Sequence, residues 1–465
     1  MGCESIGISR KQVVFAVKET TCGTLKFPAA IDFIRPAGLA IINQIPEFVP
    51  SEELRNTLDI LDEFQNQVPP GDWSVNMYVR PATTLGGTPQ GDALYQSWQG
   101  LLNPTTAASL ADAITAAATQ VPFNGMTGGI MPYRGVVTIG AEKIYYTGIS
   151  RASRTATAGT LLNCTRGYMA TSATAATDNA NLNLSSRVYR QAVESPSFSL
   201  WIKTDHFLQG LAGCTVNNAV LGVNNEGAVT INMSGQGMKM VFAGKSAVGV
   251  AGATNGATQI PVDDADLYSV DARIYNSTDG DANGGQGYTI SRVDTTNNII
   301  VVSTGISNGW YDNEVIEGYL PSATVIGEPI ESRYTNIYLD SVAAKFRTTD
   351  FTFDVPKQYI IDEVGVDYPE NFVEDMRNIT SALNLYFRAE DAKYFTLGLN
   401  SYEIPIALKF GQAATATDYR GMEVYFPRTK VKTPEISGDG PTLALSMGLT
   451  ALGTVGEDSA EIIFN

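Results

Sequence analysis

One pattern occurs twice in this chain, far apart. Val75-Asn-Met-Tyr-Val-Arg80 and Leu383-Asn-Leu-Tyr-Phe-Arg388 both read apolar-Asn-apolar-Tyr-apolar-Arg. Alternation with a period of two is the signature of a strand with one buried face. A pattern that returns so late limits the fold to one that repeats a strand-based unit, or to one in which two unrelated strands look alike. Two further echoes favour repetition. Asn225-Glu-Gly-Ala-Val-Thr-Ile-Asn-Met-Ser-Gly-Gln-Gly-Met238 matches Gly438-Asp-Gly-Pro-Thr-Leu-Ala-Leu-Ser-Met-Gly-Leu449 in its turn-then-strand design, and Met240-Val-Phe242 matches Ile462-Ile-Phe464. A duplication predicts that the strands carrying Tyr78 and Tyr386 hold equivalent places in one fold.

Between these halves the composition shifts. Residues 107–119 are rich in Ala and Thr, and Ala118-Thr-Gln-Val-Pro-Phe123 is echoed by Ala257-Thr-Gln-Ile-Pro-Val262, each heading a segment of short strands and glycine turns. Gly135-Val-Val-Thr-Ile-Gly-Ala-Glu-Lys-Ile-Tyr-Tyr-Thr147 reads as a hairpin turning at Gly140-Ala141. The expected organisation is a first β domain over 1–105 and 190–245, an inserted small β domain at 106–189, a second at 246–328, and a second β domain at 329–465. Helical spacing is expected over Gln90–Leu102 with Asp92 at its start, and an N-capped turn over Ser51–Leu58.

The whole chain has 465 residues, 44 of them glycine, 44% apolar and only 17% charged. Disorder is disfavoured by that apolar content, and abundant Gly, Asn, Ser and Thr suit a turn-rich β protein. Forty-eight acids against 31 bases give a net charge of −17, which excludes a chain that grips nucleic acid by neutralising phosphates. The acidity is uneven: 246–328 carries −9 and 329–465 carries −8, whereas 106–189 carries +3. No apolar run is long enough to cross a membrane, the start MGCESIGISRKQ lacks the core of a secretory signal, and Ile6 misses the myristoylation pattern, so synthesis in the cytoplasm is expected.

Residue chemistry argues against an enzyme. His206 is the single histidine, and a strand-end or turn role outweighs one as a lone general base. Cys3, Cys22, Cys164 and Cys214 are too scattered for a C-x₂-C metal pair and read as reduced structural thiols. Asp279-Gly-Asp281-Ala-Asn283-Gly284 fits the first half of a calcium loop, but Ile290 stands where the bidentate Glu belongs, and a polar turn explains the same letters. Gly235-Gln-Gly237 lacks a dinucleotide fingerprint's third glycine. Asp362-Glu363 and Glu390-Asp391 are adjacent acids, which point to opposite faces of a strand and so make poor glycosidase pairs. Arg428-Thr-Lys430-Val-Lys432 is basic on alternate residues; a neighbouring subunit's acids are favoured over phosphate as what this stripe meets. No catalytic, cofactor-binding or metal residue is assigned, and no cofactor is expected.

Over roughly the first 245 residues the chain resembles the major tail tube proteins of bacteriophages with long non-contractile tails. The resemblance rests on Val13-Val-Phe-Ala-Val-Lys-Glu-Thr20 with Gly23-Thr24, Phe48-Val-Pro-Ser-Glu-Glu-Leu-Arg-Asn-Thr57, Gly71-Asp-Trp-Ser-Val-Asn-Met-Tyr-Val-Arg-Pro81, Asp92-Ala-Leu94 and Leu211-Ala-Gly-Cys-Thr-Val-Asn-Asn-Ala-Val-Leu221. Val137–Thr147 and Cys164-Thr-Arg-Gly-Tyr168 look like the small β-module found in phage structural proteins. The resemblance implies a mainly β fold, a tail-tube-type β-sandwich or partial barrel with a short helix, here duplicated and carrying two outward inserts. It implies a virion protein of the tail, made in the bacterial host, that stacks as rings into a tube. The ring is expected to hold three chains in a pseudo-sixfold array, with six chains the alternative. The tape measure and terminator proteins are implied partners, DNA passes without specific binding, and no membrane is involved. A tail-tip adhesin, or less readily a carboxylate-dependent polysaccharide depolymerase, is the alternative function.

Overall fold

The computed structural model describes residues 11–53, 62–102, 107–126, 131–153, 156–192, 194–224, 227–411, 421–439, 442–454 and 457–465. The expected turn over Ser51–Leu58 falls outside these from Leu54 onward, as does Cys3. The fold is mainly β. In the first half the core strands are β1 (Val13–Lys18), β2 (Phe33–Ile34), β3 (Ile41–Asn43), β4 (Phe48–Pro50), β5 (Glu63–Gln65) and β6 (Gly71–Tyr78). Helix α1 (Asp92–Gln99) follows, then β7 (Phe198–Lys203), β8 (Leu208–Val223), β9 (Thr230–Gly237) and β10 (Lys239–Ala243). β6 illustrates why: Trp73, Val75 and Met77 enter the core while Asp72, Ser74, Asn76 and Tyr78 point away. Left-handed glycines bound α1, Gly91 at φ 77° and Gly100 at φ 76°, which only residues without a Cβ adopt cheaply.

The second half contains β11 (Asn336–Leu339), β12 (Val342–Ala344), β13 (Thr348–Asp354), β14 (Lys357–Tyr359), β15 (Phe372–Glu374) and β16 (Asn378–Tyr386). After α2 (Lys393–Leu399) come β17 (Glu403–Phe410), β18 (Met422–Val431), β19 (Glu435–Asp439), β20 (Thr442–Leu452) and β21 (Glu461–Phe464). The pairing maps of the two halves coincide. β1 pairs with β2 and β7, β3 with β6, β4 with β5, β6 with β9, and β8 with β7, β9 and β10. Likewise β11 pairs with β12 and β17, β13 with β16, β14 with β15, β16 with β20, and β18 with β17, β20 and β21.

Register agrees as well as connectivity. Tyr78 lies opposite Thr230 and Tyr386 opposite Ala444, so the two Tyr strands are equivalent, as the duplication predicts. A β-bulge interrupts β7–β8 between Phe198 and Leu200, and one interrupts β17–β18 between Ile404 and Ile406. The single long β8 shifts register on β9 between Val216 and Asn218; in the second half the same place is a break, so β8 corresponds to β18 and β19 together. The last echo needs a correction: Val241 faces Gly210 and Glu461 faces Tyr425, which makes Val241 equivalent to Glu461, two residues from the match read in the sequence.

Each half is thus two layers around one apolar core that runs through both. The inner layers join into one sheet of eight strands, in the order β3-β6-β9-β8-β13-β16-β20-β19, because the far half of β8 pairs with β13. The outer layers are β2-β1-β7-β8-β10 and β12-β11-β17-β18-β21.

Two further sheets, of seven and six strands, are built within 107–184 and 245–318. They share a plan. Leu110 pairs with Phe123 and Leu161 with Val121 in the first; Val248 pairs with Val262 and Ile300 with Ile260 in the second, so the echoed hexapeptides hold the same place. One boundary differs from the sequence reading: the strand Arg187–Arg190 pairs with β21 and with Leu101–Leu102, so Arg187, Val188 and Tyr189 belong to the core rather than to the end of the first module. The modules lie on the outer layers. The second packs on Phe15, Trp201 and Leu208 of the first half, and the first packs on Ile463 of the second half. An equivalent lysine marks both contacts: Lys203 binds Glu317 at 3.1 Å and faces the Tyr275 ring, and Lys409 faces the Tyr145 ring at 4.6 Å.

Candidate subunit interface

The joint between the halves combines a strand pairing, a buried helix and a docked hairpin. Its backbone element is the β8–β13 pairing, running from Asn218 opposite Asp354 to Val223 opposite Thr349. Leu221 and Phe351 face each other there, both buried. Helix α1 lies beneath, with Ala93 through Gln99 all buried. Trp98 meets Phe353 edge-to-face at 4.6 Å, and Tyr95 meets Phe464 at 5.2 Å. Over the joint folds the β14–β15 hairpin. Lys357 Nζ donates to the carbonyls of Val216 (2.9 Å) and Ser97 (3.2 Å), and Tyr359 Oη donates to that of Gly213 (2.7 Å). Ser195 N donates to Glu374 at 2.8 Å. Burial pushes the Lys357 ammonium down to about 7, partly countered by Glu374, because desolvation penalises its charged form.

Each component has a counterpart at an end of the chain's inner sheet; there Ile42 stays buried at 3% but the strand edges, the second helix and the hairpin are uncovered. Leu221 corresponds to Ile436 on β19, and Phe351 to Ile42 on β3. Among the described residues β19 pairs only with β20, and β3 only with β6, so each presents an open edge. Ile436 is 49% exposed, whereas Leu221 is 1% exposed. Ile41 and Ile45, beside the β3 edge, are exposed too. α2 buries only Tyr394, while its equivalent α1 buries seven residues. The β4–β5 hairpin, equivalent to β14–β15, is exposed on both faces, with Phe48 and Phe64 each at 57%.

The side of the inner sheet away from the core is a polar wall. Asp72, Asp350, Asp354 and Glu435 point outward among Ser, Thr and Asn side chains, with Tyr78 and Tyr386 at equivalent exposed positions. None of its eight strands contains Lys, Arg or His between the residues that pair in it. Arg347, one residue before β13, lies over the Tyr386 ring at 4.8 Å, so the wall is acidic on its strands with a base at its margin, a balance that disfavours phosphate.

The residues singled out in the sequence fall elsewhere or take other roles. His206 sits in the turn between β7 and β8. Asp281 is buried and accepts from Trp310 Nε1 (3.0 Å), Tyr288 Oη (2.8 Å) and Asn308 N (3.2 Å). Burial raises its carboxyl, and the Trp310 and Tyr288 bonds outweigh that and hold it below the usual carboxylate range. It is the polar centre of the second module's core. Cys22 is exposed, Cys164 and Cys214 are buried, and all three are free thiols. Gly235 lies in β9 where a Cβ would strike the Thr215 carbonyl, so it permits close strand approach. Asp362 and Glu363 are exposed in the β14–β15 loop. Glu390 and Asp391 are not on a strand but open the turn into α2, where Asp391 accepts from Arg388 N at 2.9 Å. That helix was missed, although Asp391-Ala-Lys-Tyr394-Phe-Thr-Leu397 repeats Asp92-Ala-Leu-Tyr95-Gln-Ser-Trp98. Of the basic stripe, Arg428 pairs with Glu403 at 2.7 Å, and Lys430 and Lys432 are exposed on the end of β18 and beyond it.

No family model matches the chain, and no curated protein matches it. Among the described residues no helix is long and apolar enough to cross a membrane.

Proposed function

We propose that this chain is a self-assembling structural protein, the subunit of a phage tail tube that conducts DNA. One observation carries the reading: the inner sheet ends, on both sides, in the same elements that are joined at its middle. A contact that links repeat one to repeat two through β8 and β13 has equivalent, unused surfaces in β19 and β3. Joining β19 of one chain to β3 of the next extends the sheet by the same operation, and a heterologous contact of this kind closes into a ring when its rotation divides a full turn. Three chains then supply six repeats.

In such a ring the open edges are paired, which is how natural β assemblies avoid indiscriminate edge-to-edge association. The wall, acidic on its strands, lines the channel, and both modules decorate the outside because they sit on the outer layers. DNA is then passed rather than held. Stacked rings form the tube of a virion tail, with the tape measure protein inside and the terminator at its end as companions.

Mass photometry and negative-stain imaging of the purified protein test this. Rings of three 49.8 kDa chains, and hollow tubes at high concentration, are the expected outcome. Monomers at every concentration and ionic strength overturn it.

A further inference from the structure

The internal equivalence also says where the exposed β4–β5 hairpin goes. The hydrogen bonds at its base, Asn66 N to Glu47 O and Ser51 N to Asp62 O, repeat those of the docked hairpin, Asp375 N to Pro356 O and Ile360 N to Asn371 O. Phe48 thus stands for Lys357 and Pro50 for Tyr359. The surface that receives Lys357 and Tyr359 is formed by Gly213, Thr215, Val216 and Asn217. Val216 lies opposite Gly235 and Val431 opposite Leu449, equivalent pairs, so those receiving positions become Arg428, Lys430, Val431 and Lys432 in the second half.

The chemistry changes in a complementary way on both sides. Where the inner joint has neutral Gly213, Thr215 and Asn217, the outer surface has the three-base stripe. The described part of the free hairpin carries exposed Glu47, Glu52, Asp62 and Glu63 and no base, where the docked hairpin inserts Lys357. We infer that the β4–β5 hairpin of one copy latches onto the Arg428–Lys432 stripe of the next copy, its carboxylates meeting Lys430 and Lys432. The inference rests on the ring reading above and adds its key. The hairpin's negative charge selects the second half of a neighbour over the neutral, already occupied site on a first half, so copies join only in the sense that closes the ring.

The test compares four full-length proteins by mass photometry over a concentration series: wild type, Lys430→Glu/Lys432→Glu, Glu52→Lys/Glu63→Lys, and the fourfold swap. Each one-sided variant is expected to raise the concentration for half-assembly by about tenfold, and the swap to restore it, because opposed charge pairs at a partly desolvated contact are worth roughly 1–2 kcal/mol together. One-sided variants that assemble as wild type does, or a swap worse than either, overturn the latch while leaving the rings standing; wild-type monomers overturn both. A geometric check is independent of charge. Tyr359 Oη and Thr215 Oγ1 lie 2.9 Å apart, and their equivalents are Pro50 and Lys430. Pro50→Cys/Lys430→Cys, in a Cys3→Ser/Cys22→Ser background, should yield oxidised oligomers on a non-reducing gel, and monomer alone counts against the latch.

Discussion

The two halves of this chain have the same strands, bulges and pairings, yet one joint is finished and the other is not. Between β8 and β13 the edge is paired, α1 is buried and the β14–β15 hairpin is pinned by Lys357 and Tyr359. At β19 and β3 the same edge is bare, α2 buries one residue and the hairpin stands free. A monomer has no reason to keep apolar edge residues exposed in positions whose twins are core. The difference is therefore read as stability held back for a second copy, and matched substitutions on the two sides separate folding from assembly.

The largest effect is expected from an aspartate at matched edge positions. Leu221→Asp places an unpaired charge in a closed core and should unfold the chain, at about 3–5 kcal/mol. Ile436→Asp, at the half-exposed twin, should leave the monomer's thermal midpoint within a few degrees and abolish rings. Equal loss of midpoint in both variants would erase the distinction between the joints.

Next come the helices. Trp98→Ala empties the contact with Phe353 and should cost about 3–5 kcal/mol of unfolding free energy in denaturant titration. Leu397→Ala, its half-buried counterpart, should cost about 1 kcal/mol in the monomer and show the rest as weakened assembly. A monomer destabilised as much by Leu397→Ala would mean that α2 already carries its full load.

Much of this was legible in the sequence because it is written with period two. The Asn-Tyr-Arg echo located β6 and β16 in register, and the Ala-Thr-Gln echo located twin strands in the two modules. What escaped was whatever depends on long-range register. β10 and β21 were matched two residues out because short apolar strands carry no internal marker. Arg187, Val188 and Tyr189 fell to the module because nothing local tells a strand that it will pair with β21, over 270 residues away. α2 was hidden by reading Glu390-Asp391 as a charge pair instead of as a helix start. The basic stripe was expected to face a subunit, but only the pairing map names Gly213, Thr215 and Asn217 as its twins and so supplies a partner.

A smaller, pH-dependent effect belongs to the finished joint. In the folded chain Lys357 is lowered to about 7 from the ordinary lysine value of 10.5, so between these the unfolded chain binds more protons than the folded one. Its contribution makes the hairpin's docking firmer as pH rises from about 7 toward 10.5, and is flat below 7. Lys357→Met removes the titrating group. The difference in thermal midpoint between wild type and variant should shift in favour of wild type across that window; a constant difference would mean that Lys357 stays charged in place.

The smallest effect on stability, and the most telling for the channel, is expected on the polar wall. Asp72 and Asp350 are exposed on strands that belong to different halves, and each can be replaced by lysine without touching the core. Each change should move stability by only about 0.5 kcal/mol, and rings should form as before. The consequence lies in the lumen, where three chains turn six carboxylates into six ammonium groups. A wall acidic on its strands would then carry enough bases to release counterions on contact with DNA, so double-stranded fragments should associate with the variant tubes and elute steeply with salt. Wild-type tubes should not retain them under the same conditions. If the lysine variants assemble yet ignore DNA at low salt, the wall does not face a channel wide enough for a duplex, and the outer layers, with their modules, would have to be turned inward instead.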